Sequence, residues 1–179
     1  MSENETTTAE ETAVTTLARF EVPSRLEKIE DPNDLTFVAE PFENGYGHTL
    51  GNSLRRVLLG SLEGAAITSV RIAGAQHEFS SLPGVVEDVT EIVLNLKKVK
   101  FKHNGKEPRL LSLRVHKQGV VTAADIADDT VYQVVNPDQI ICTLDQDTMF
   151  ECEFQVRVGR GFATGDENKV PDMPIGVIP

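Results

Sequence analysis

Residues 44–59 constrain the fold of this chain most strongly, because their apolar side chains recur at the spacing of a single helix. At about 100° per residue, five apolar side chains from this run and just beyond it fall within roughly one third of the helix circumference. These are Leu50, Leu54, Val57, Leu58 and Leu62. The spacing therefore predicts an amphipathic helix whose apolar stripe faces a core.

The opposite side of the same helix is mostly polar. Thr49, Asn52 and Arg56 align there with Leu59, and Arg55 lies at the border between the two faces. The planar guanidinium of Arg56 points away from the stripe and suits bidentate recognition of a carboxylate. An ordinary amphipathic helix with a solvated face explains the same spacing. Several glycines in the run favour a surface that is closely approached, since a glycine inside a helix costs about 1 kcal/mol relative to alanine.

The net charge of −11 is concentrated near the N-terminus. Residues 1–43 hold 11 acidic and 3 basic side chains, whereas the remaining 17 acidic residues are nearly balanced by 14 basic ones. This distribution provides no basic face that would release DNA counterions, so we expect no direct DNA binding by this segment. Residues 1–18 are acidic and rich in threonine, and we expect them to form a disordered tail.

The sequence contains neither a run of about 18 apolar residues nor a basic and apolar leader. We therefore expect no membrane association and a cytoplasmic location. Cys142 and Cys152 lie in apolar or alternating segments and are predicted to be buried free thiols.

Strand signals dominate the remainder of the chain. Strands are predicted over 20–28 and 35–40, on either side of turn residues 31–34, and over 65–72. Three more strands are predicted over 131–135, 140–144 and 149–158, with Asp145 and Asp147 in a turn. In the last of them, apolar side chains at even positions 150–158 should face the core and polar ones at 151–157 should face outward.

A second helix is predicted over 85–96, because apolar side chains recur there at helical spacing. Glu87, Asp88 and Glu91 should be exposed near its N-terminus, where carboxylates suit the helix dipole. After this helix, Asn104-Gly105 predicts a hairpin that joins the strand of Val99 and Phe101 to a strand over 111–115. Residues 159–179 read as a loop outside the core. Helices segregated from a strand-rich block indicate an α+β protein.

The chain offers little that could perform catalysis. Its histidines are dispersed, no His/Cys group has metal-ligand spacing, and the glycines around residue 47 lack the Lys-Ser/Thr ending of a phosphate loop. We therefore predict no catalytic residue, no cofactor and no metal site. The main basic concentration is a solubilising, edge-protecting surface or a docking surface for an acidic partner. It comprises Lys97, Lys98, Lys100, Lys102, Lys106 and Arg109.

The sequence of residues 45–56, GYGHTLGNSLRR, closely resembles that of the first helix of the bacterial RNA polymerase alpha-subunit family. Further motifs follow in the family's order, and the resemblance extends over about residues 19–179. These motifs are His77-Glu78-Phe79, Gly84-Val85-Val86-Glu87-Asp88-Val89, Leu94-Asn95-Leu96-Lys97, Val121-Thr122-Ala123-Ala124-Asp125-Ile126 and Gly159-Arg160-Gly161-Phe162.

The resemblance implies a non-catalytic assembly scaffold within a nucleotidyltransferase, the DNA-directed RNA polymerase. Such a subunit forms a homodimer with a second alpha subunit and recruits the beta and beta-prime subunits for transcription. By this resemblance, Asn52, Arg55, Arg56 and Lys97 would bind a large subunit. The stripe residues Leu50, Leu54, Val57 and Leu58 would serve dimer or core packing.

The resemblance also implies two subdomains. Residues 19–63 would form the first part of a dimerisation subdomain, which is only half encoded here, and residues 64–179 would form an inserted antiparallel β-rich subdomain with one helix. The family continues beyond the segment at 174–176 into further dimerisation elements and a C-terminal DNA-binding domain. We therefore expect an N-terminal fragment whose dimerisation is impaired and whose apolar stripe is under-covered.

Two other functions would fit parts of this sequence. A stand-alone adaptor or regulator could keep the surface of the inserted subdomain and compete with an intact alpha subunit. A stand-alone enzyme would need a pocket with clustered titratable residues, and the sequence offers no such cluster.

Overall fold

A computed structural model of the chain describes residues 22–31 and 34–179. The predicted tail over 1–18 and the turn residues Pro32 and Asn33 lie outside the described residues. The chain divides into two compact units between Arg56 and Val57. Antiparallel strands dominate the described residues and helices are few, so the predicted α+β class is confirmed.

The helices are α1 (Tyr46–Gly60), α2 (Val89–Leu96) and α3 (Gly165–Asn168), with a short 3₁₀ helix at Ala123–Asp125. The strands are β1 (Arg25–Asp31), β2 (Asp34–Glu40), β3 (Glu63–Ile72), β4 (Phe101–His103), β5 (Arg109–Thr122), β6 (Tyr132–Val134), β7 (Ile140–Arg160) and β8 (Val177–Ile178).

The first unit is an antiparallel pair of strands followed by most of α1. Strands β1 and β2 pair from Arg25↔Glu40 to Asp31↔Asp34. The side chain of Phe42 then packs near the start of the helix, with its ring centroid 6.3 Å from that of Tyr46. No residue of α1 is buried. The sequence pattern therefore forms the predicted helix, but its apolar stripe remains at the surface.

The second unit is built on a sheet with the strand order β5-β7-β3-β4-β6, and β8 pairs with β3. This sheet is built around strand β7, which pairs with β5 along one edge and with β3 along the other. Phe150, Cys152, Phe154 and Val156 are buried on one face of β7. The polar residues between them are partly exposed, so the predicted alternation is confirmed.

Two cross-strand ion pairs lie on the outer face of this sheet. Arg71 of β3 contacts Glu153 of β7 at 2.6 Å, directly opposite it in the ladder. Arg114 of β5 pairs in the same way with Glu151 of β7. Oppositely charged side chains that face each other across two strands support the strand register. Because these side chains are exposed, each pair contributes little to the free energy of folding.

The hairpin predicted at Asn104-Gly105 is wrong. Strand β4 pairs with β3 and β6, whereas β5 pairs with β7. A two-residue hairpin of the predicted type needs positive φ at both central residues, and Gly105 does not adopt it. The connection between β4 and β5 is instead anchored next to β6, because Asn104 N donates to Val131 O at 2.9 Å. The buried Tyr132 also donates its hydroxyl to Glu107 O at 2.8 Å.

The turn predicted at Asp145 and Asp147 is also wrong. Strand β7 is continuous from Ile140 to Arg160, and the two predicted strands are one element. The register changes from Lys117↔Thr148 to Gly119↔Leu144, so β7 carries two extra residues at this point. The polar residues therefore form a bulge in a strand, and the side chain of Gln118 donates to Asp145 O at 2.8 Å.

The second helix begins at Val89 and not at Val85. Val85 forms a bridge with Leu144, and Val86 N donates to Thr143 O at 3.0 Å, so both residues belong to the sheet edge. Asp88 caps α2 by accepting from Glu91 N at 2.7 Å. Glu87 is partly buried and not exposed as predicted.

The segment after residue 158 is more ordered than the predicted loop. Strand β7 runs to Arg160, α3 follows, and Val177 and Ile178 pair with β3. Ile178 is buried in the core cluster. The glycine and proline content of this segment predicts a loop, but the segment contains a two-residue strand that pairs with β3.

Candidate protein-binding surfaces

Three of the residues predicted to bind a large subunit lie together on α1. Asn52, Arg55 and Arg56 are spaced at i, i+3 and i+4, which places them on one side of a helix. All three are exposed, and no hydrogen bond or ion pair of the described residues engages their side chains. We call these three residues the α1 polar face. Its guanidinium and amide groups are available to a ligand outside the chain.

The apolar stripe of α1 is also at the surface. Leu54, Val57 and Leu58 are 61%, 52% and 59% exposed, and Leu50 is half-buried. Contiguous exposed leucines are unusual on a monomer and are typical of a protein interface. The helix therefore presents one apolar and one polar surface.

Lys97, the fourth predicted residue, lies in the second unit at the C-terminus of α2. Its backbone N donates to Val93 O at 3.0 Å, and its side chain is exposed. A cation at this end complements the helix dipole. Asn95 fixes the position of the helix, because its side-chain amide donates to Ile141 O at 3.2 Å. The predicted site residues thus fall on two units, three on the first and Lys97 on the second.

An open groove of about 740 Å³ lies beside Lys97 in the second unit. Its apolar lining includes Leu62, Ile67, Val93, Leu96 and Ile178. We call this cavity the β3 groove, because residues 64–70 of β3 run along it.

The basic concentration between Lys97 and Arg109 divides into two parts. Lys98, Lys100 and Lys102 are exposed, while Val99 and Phe101 between them are buried, as predicted from the alternation. Lys106 is instead bound to Glu63, at 2.8 Å.

Glu63 is an organising residue that the sequence pattern does not identify. Besides the contact with Lys106, it binds Arg160 at 2.6 Å. The two side chains donate hydrogen bonds that lower the pKa of Glu63 below its ordinary value. Since Glu63 begins β3 and Arg160 ends β7, this pair joins the two strands where the ladder starts. Its partners lie 43 and 97 residues away in sequence, so no local motif indicates them.

Within 22–31 and 34–179, no group of three His, Cys, Asp or Glu residues could hold a metal ion. Cys142 and Cys152 are buried free thiols, as predicted. Burial raises the pKa of each thiol to about 12, which suppresses the nucleophilic thiolate. No helix among the described residues is long and apolar enough to cross a membrane.

Comparison with known proteins identifies the family of this chain. Residues 70–179 match the family described as the RNA polymerase Rpb3/RpoA insert domain. This match covers most of the unit that contains β3 to β8. The chain belongs to the bacterial RNA polymerase alpha-subunit family.

Curated alpha subunits show the same relationship over a longer part of the chain. The DNA-directed RNA polymerase subunit alpha of Symbiobacterium thermophilum is 55% identical over 150 residues, which are 84% of this chain and 48% of that protein. The subunit of Alkaliphilus metalliredigens is 51% identical over 158 residues, 87% of this chain and 50% of that protein. That of Desulfitobacterium hafniense is 50% identical over 154 residues, with shares of 86% and 49%. The chain thus spans about half the length of these alpha subunits.

Proposed function

We propose that this chain acts as a non-catalytic assembly scaffold of a DNA-directed RNA polymerase in the cytoplasm. It dimerises with a second alpha subunit and recruits the beta and beta-prime subunits, which carry out nucleotidyl transfer. Family membership supports the link to the polymerase.

The α1 polar face is the observation that carries this proposal. Arg55 and Arg56 together offer two exposed guanidinium groups on one helix side, and no carboxylate of the described residues pairs with either. A guanidinium binds a carboxylate through two parallel hydrogen bonds, so the face suits an acidic side chain on a large subunit. Asn52 adds an amide that can donate and accept beside them.

Lys97 extends the proposed contact to the second unit. Its ammonium group is exposed at the end of α2, and α2 is anchored to the sheet by Asn95. The helix carries its own buried residues Val89, Ile92 and Leu96, so the position of Lys97 is fixed by packing. A positioned cation of this kind favours an acidic partner and fast association.

The apolar stripe supports dimerisation by a different argument. The leucines of this stripe are exposed, although burial in an interface would stabilise a complex by about 25 cal/mol for each Å² of apolar surface removed from water. A second copy of α1 presents the same stripe, and a two-fold interface requires a self-complementary surface.

Copurification with the two large subunits tests the proposal. The full chain, Arg56→Ala and Arg56→Lys are each coexpressed with tagged beta and with beta-prime. Truncating one partner of a buried, hydrogen-bonded charge pair costs about 2–5 kcal/mol, so Arg56→Ala should lower recovery of the complex at least about tenfold. Arg56→Lys should recover part of it, since lysine keeps the charge but not the planar fork.

Arg71→Ala is the matched control, because Arg71 is an exposed arginine that already binds Glu153 within the chain. It should assemble like the unsubstituted chain. Equal recovery of all variants would remove Arg56 from the proposed role.

A second candidate function is a regulator that competes with intact alpha subunit. It is favoured by one observation: the buried hydrophobic residues of the described chain all lie between Val70 and Ile178. The second unit therefore has its own core. Increasing amounts of the chain, added to a reconstitution that contains intact alpha, should then reduce polymerase yield. An undiminished yield would exclude competition.

A further inference from the structure

The connection between β4 and β5 contains the dipeptide Asn104-Gly105. Strand β4 ends at His103 and β5 begins at Arg109, so both residues lie outside the strands. Asn104 is exposed, and no hydrogen bond of the described residues engages its side-chain amide. An unengaged amide on an exposed connection is accessible to covalent chemistry.

The backbone nitrogen that follows Asn104 is a suitable nucleophile. Within the part of the chain that the structure describes, Gly105 N–H donates to no acceptor. Because glycine has no Cβ, its nitrogen can approach the preceding side chain from many backbone conformations. The connection is held through other atoms, since Asn104 N donates to Val131 O at 2.9 Å and His103 Nδ1 lies 3.1 Å from Gly105 O. An attack by Gly105 N on the Asn104 side chain therefore requires none of these hydrogen bonds to break.

The charge next to this dipeptide favours such an attack. Lys102 is exposed and has no carboxylate partner among the described residues. The attack needs a deprotonated amide nitrogen and passes through an anionic intermediate, and a nearby cation stabilises both. The other Asn-Gly pair of the chain, Asn44-Gly45, directly follows Glu43. A carboxylate in that position disfavours the same anions.

We propose that Asn104 is the preferred site of spontaneous deamidation in this chain. Gly105 N loses its proton to water and attacks Asn104 Cγ, and the new N–Cγ bond closes a succinimide ring. The Cγ–Nδ2 bond breaks, and the amide nitrogen takes up a proton from water and leaves as ammonia. Water then opens the ring, at Cγ to give aspartate or at the main-chain carbonyl carbon of Asn104 to give β-linked isoaspartate. The sum consumes water and releases ammonia, with no change of oxidation state.

The modification changes this surface in two ways. It adds a negative charge to the main basic concentration of the chain, where the new carboxylate competes with Glu63 for Lys106. The Lys106 Nζ lies 2.8 Å from Glu63 Oε2. An isoaspartate also lengthens the main chain by an extra atom between β4 and Glu107 O, the acceptor of the Tyr132 hydroxyl. The modified connection thus differs in both charge and length.

Peptide mapping by mass spectrometry on the full chain tests the proposal. The folded chain is incubated in mildly alkaline buffer and digested at acidic pH, and each asparagine is scored for conversion to the acid. Asn104 should convert at least about threefold faster than Asn44, because the neighbouring charges differ in sign. Asn95 and Asn136 should stay intact. The Asn95 amide donates to Ile141 O and a leucine follows it, while Asn136 precedes a proline, which has no N–H.

Two outcomes of this experiment would overturn the proposal. One is conversion of any other asparagine as fast as Asn104. The other is an intact Asn104 over the interval in which a synthetic peptide of residues 101–109 is fully converted, since the folded connection would then prevent the attack.

Enzymatic methylation tests the succinimide route. An isoaspartyl methyltransferase with radiolabelled S-adenosylmethionine methylates the β-linked product, so label should appear in the peptide that contains position 104. Anion-exchange chromatography should resolve the same molecules as a more acidic species. A converted but unlabelled peptide would indicate direct hydrolysis to aspartate and would overturn this route.

Two substitutions separate the nucleophile from the charge. Gly105→Ala keeps Asn104 and Lys102, and its Cβ would lie 3.2 Å from Val131 Cγ1, so the neighbouring side chain must move slightly. This Cβ hinders the attacking nitrogen and should slow conversion at position 104 at least about tenfold. Lys102→Gln removes the unpaired cation and should slow it about twofold, with no change at Asn44. Circular dichroism checks that both variants fold, and an unchanged rate at Asn104 in either would overturn the proposal.

Discussion

Both carboxylate oxygens of Glu87 bind Thr143. The backbone N of Thr143 donates at 2.6 Å and its hydroxyl at 2.9 Å, across 56 residues of sequence. The carboxylate thereby fastens the segment before α2 to β7. Glu87→Gln removes the carboxylate charge that strengthens both hydrogen bonds, and the Thr143 hydroxyl must then accept from the new amide N–H instead of donating. We expect a loss of about 1–3 kcal/mol in the free energy of unfolding, measured by urea titration.

Glu91→Gln is the control for this measurement, because Glu91 is exposed and only its backbone N is engaged, at Asp88. It should change the free energy of unfolding by less than about 0.5 kcal/mol. Thr143→Val combined with Glu87→Gln completes a double-mutant cycle. Strict additivity in that cycle would show that the two side chains do not act together.

The pH dependence of stability should depend on Asp125. Although partial burial raises its pKa, hydrogen bonds from Lys117 Nζ and Thr122 N lower it more, so the pKa lies below its ordinary value of 3.8. The group therefore contributes stability that is fully present above the ordinary pKa and is lost as pH falls through the folded value. Asp125→Asn should flatten the acid limb of a plot of urea midpoint against pH.

Asp128→Asn provides the matched comparison, since Asp128 is exposed and close in sequence. Its acid limb should follow that of the unsubstituted chain. An acid limb unchanged by Asp125→Asn would show that the pair with Lys117, at 2.8 Å, contributes nothing to acid sensitivity.

The periodic spacing of apolar residues predicted the helices and strands of this fold better than local turn motifs did. The alternation along β7 and the helical spacing of α1 report burial and local geometry, which neighbouring residues encode. Asn104-Gly105 and Asp145-Gln146-Asp147 are local turn signals that long-range contacts override. Tyr132 binds Glu107 O 25 residues away, and Gln118 binds Asp145 O 27 residues away. The sequence contains both partners in each case but does not indicate that they meet.

The same distinction between local spacing and long-range contacts applies to the candidate sites. The spacing of Asn52 and Arg56 predicted one shared helix side, and the structure has both exposed there. The β3 groove beside Lys97 was not predictable, because residues of β3, α2 and β8 that are far apart in the sequence line it together. Which partner each surface binds stays a prediction.

Thiol labelling should report unfolding of the second unit. Burial raises the pKa of Cys142 and of Cys152 to about 12, so the reactive thiolate is scarce at pH 8. Both side chains are also inaccessible. A chromogenic disulfide reagent should therefore label neither cysteine in buffer and both at the urea concentration that unfolds the chain. Rapid labelling in buffer would contradict the buried positions.

Phenylalanines at two positions should differ strongly in their effect on stability. Phe154 is fully buried, with its ring centroid 6.4 Å from that of Phe101, whereas Phe162 is 88% exposed. Phe154→Ala removes a large core side chain and should cost about 3–5 kcal/mol. Phe162→Ala should change the free energy of unfolding by less than about 0.5 kcal/mol. Urea unfolding of both variants measures this contrast, and similar losses would contradict the assigned burial.

Self-association of the chain should depend on the apolar stripe of α1. Leu54 and Leu58 are both more than half exposed, so an isolated chain gains free energy when any apolar surface covers them. We expect light scattering after size-exclusion chromatography to reveal a concentration-dependent mixture of species. Leu54→Gln with Leu58→Gln should shift that mixture towards monomer, because each glutamine removes apolar area from the contact. Phe79→Gln, which alters a residue 78% exposed outside the stripe, is the control. A monomer at every concentration would contradict self-association of the unsubstituted chain. An unchanged mixture in the double variant would assign self-association to another surface.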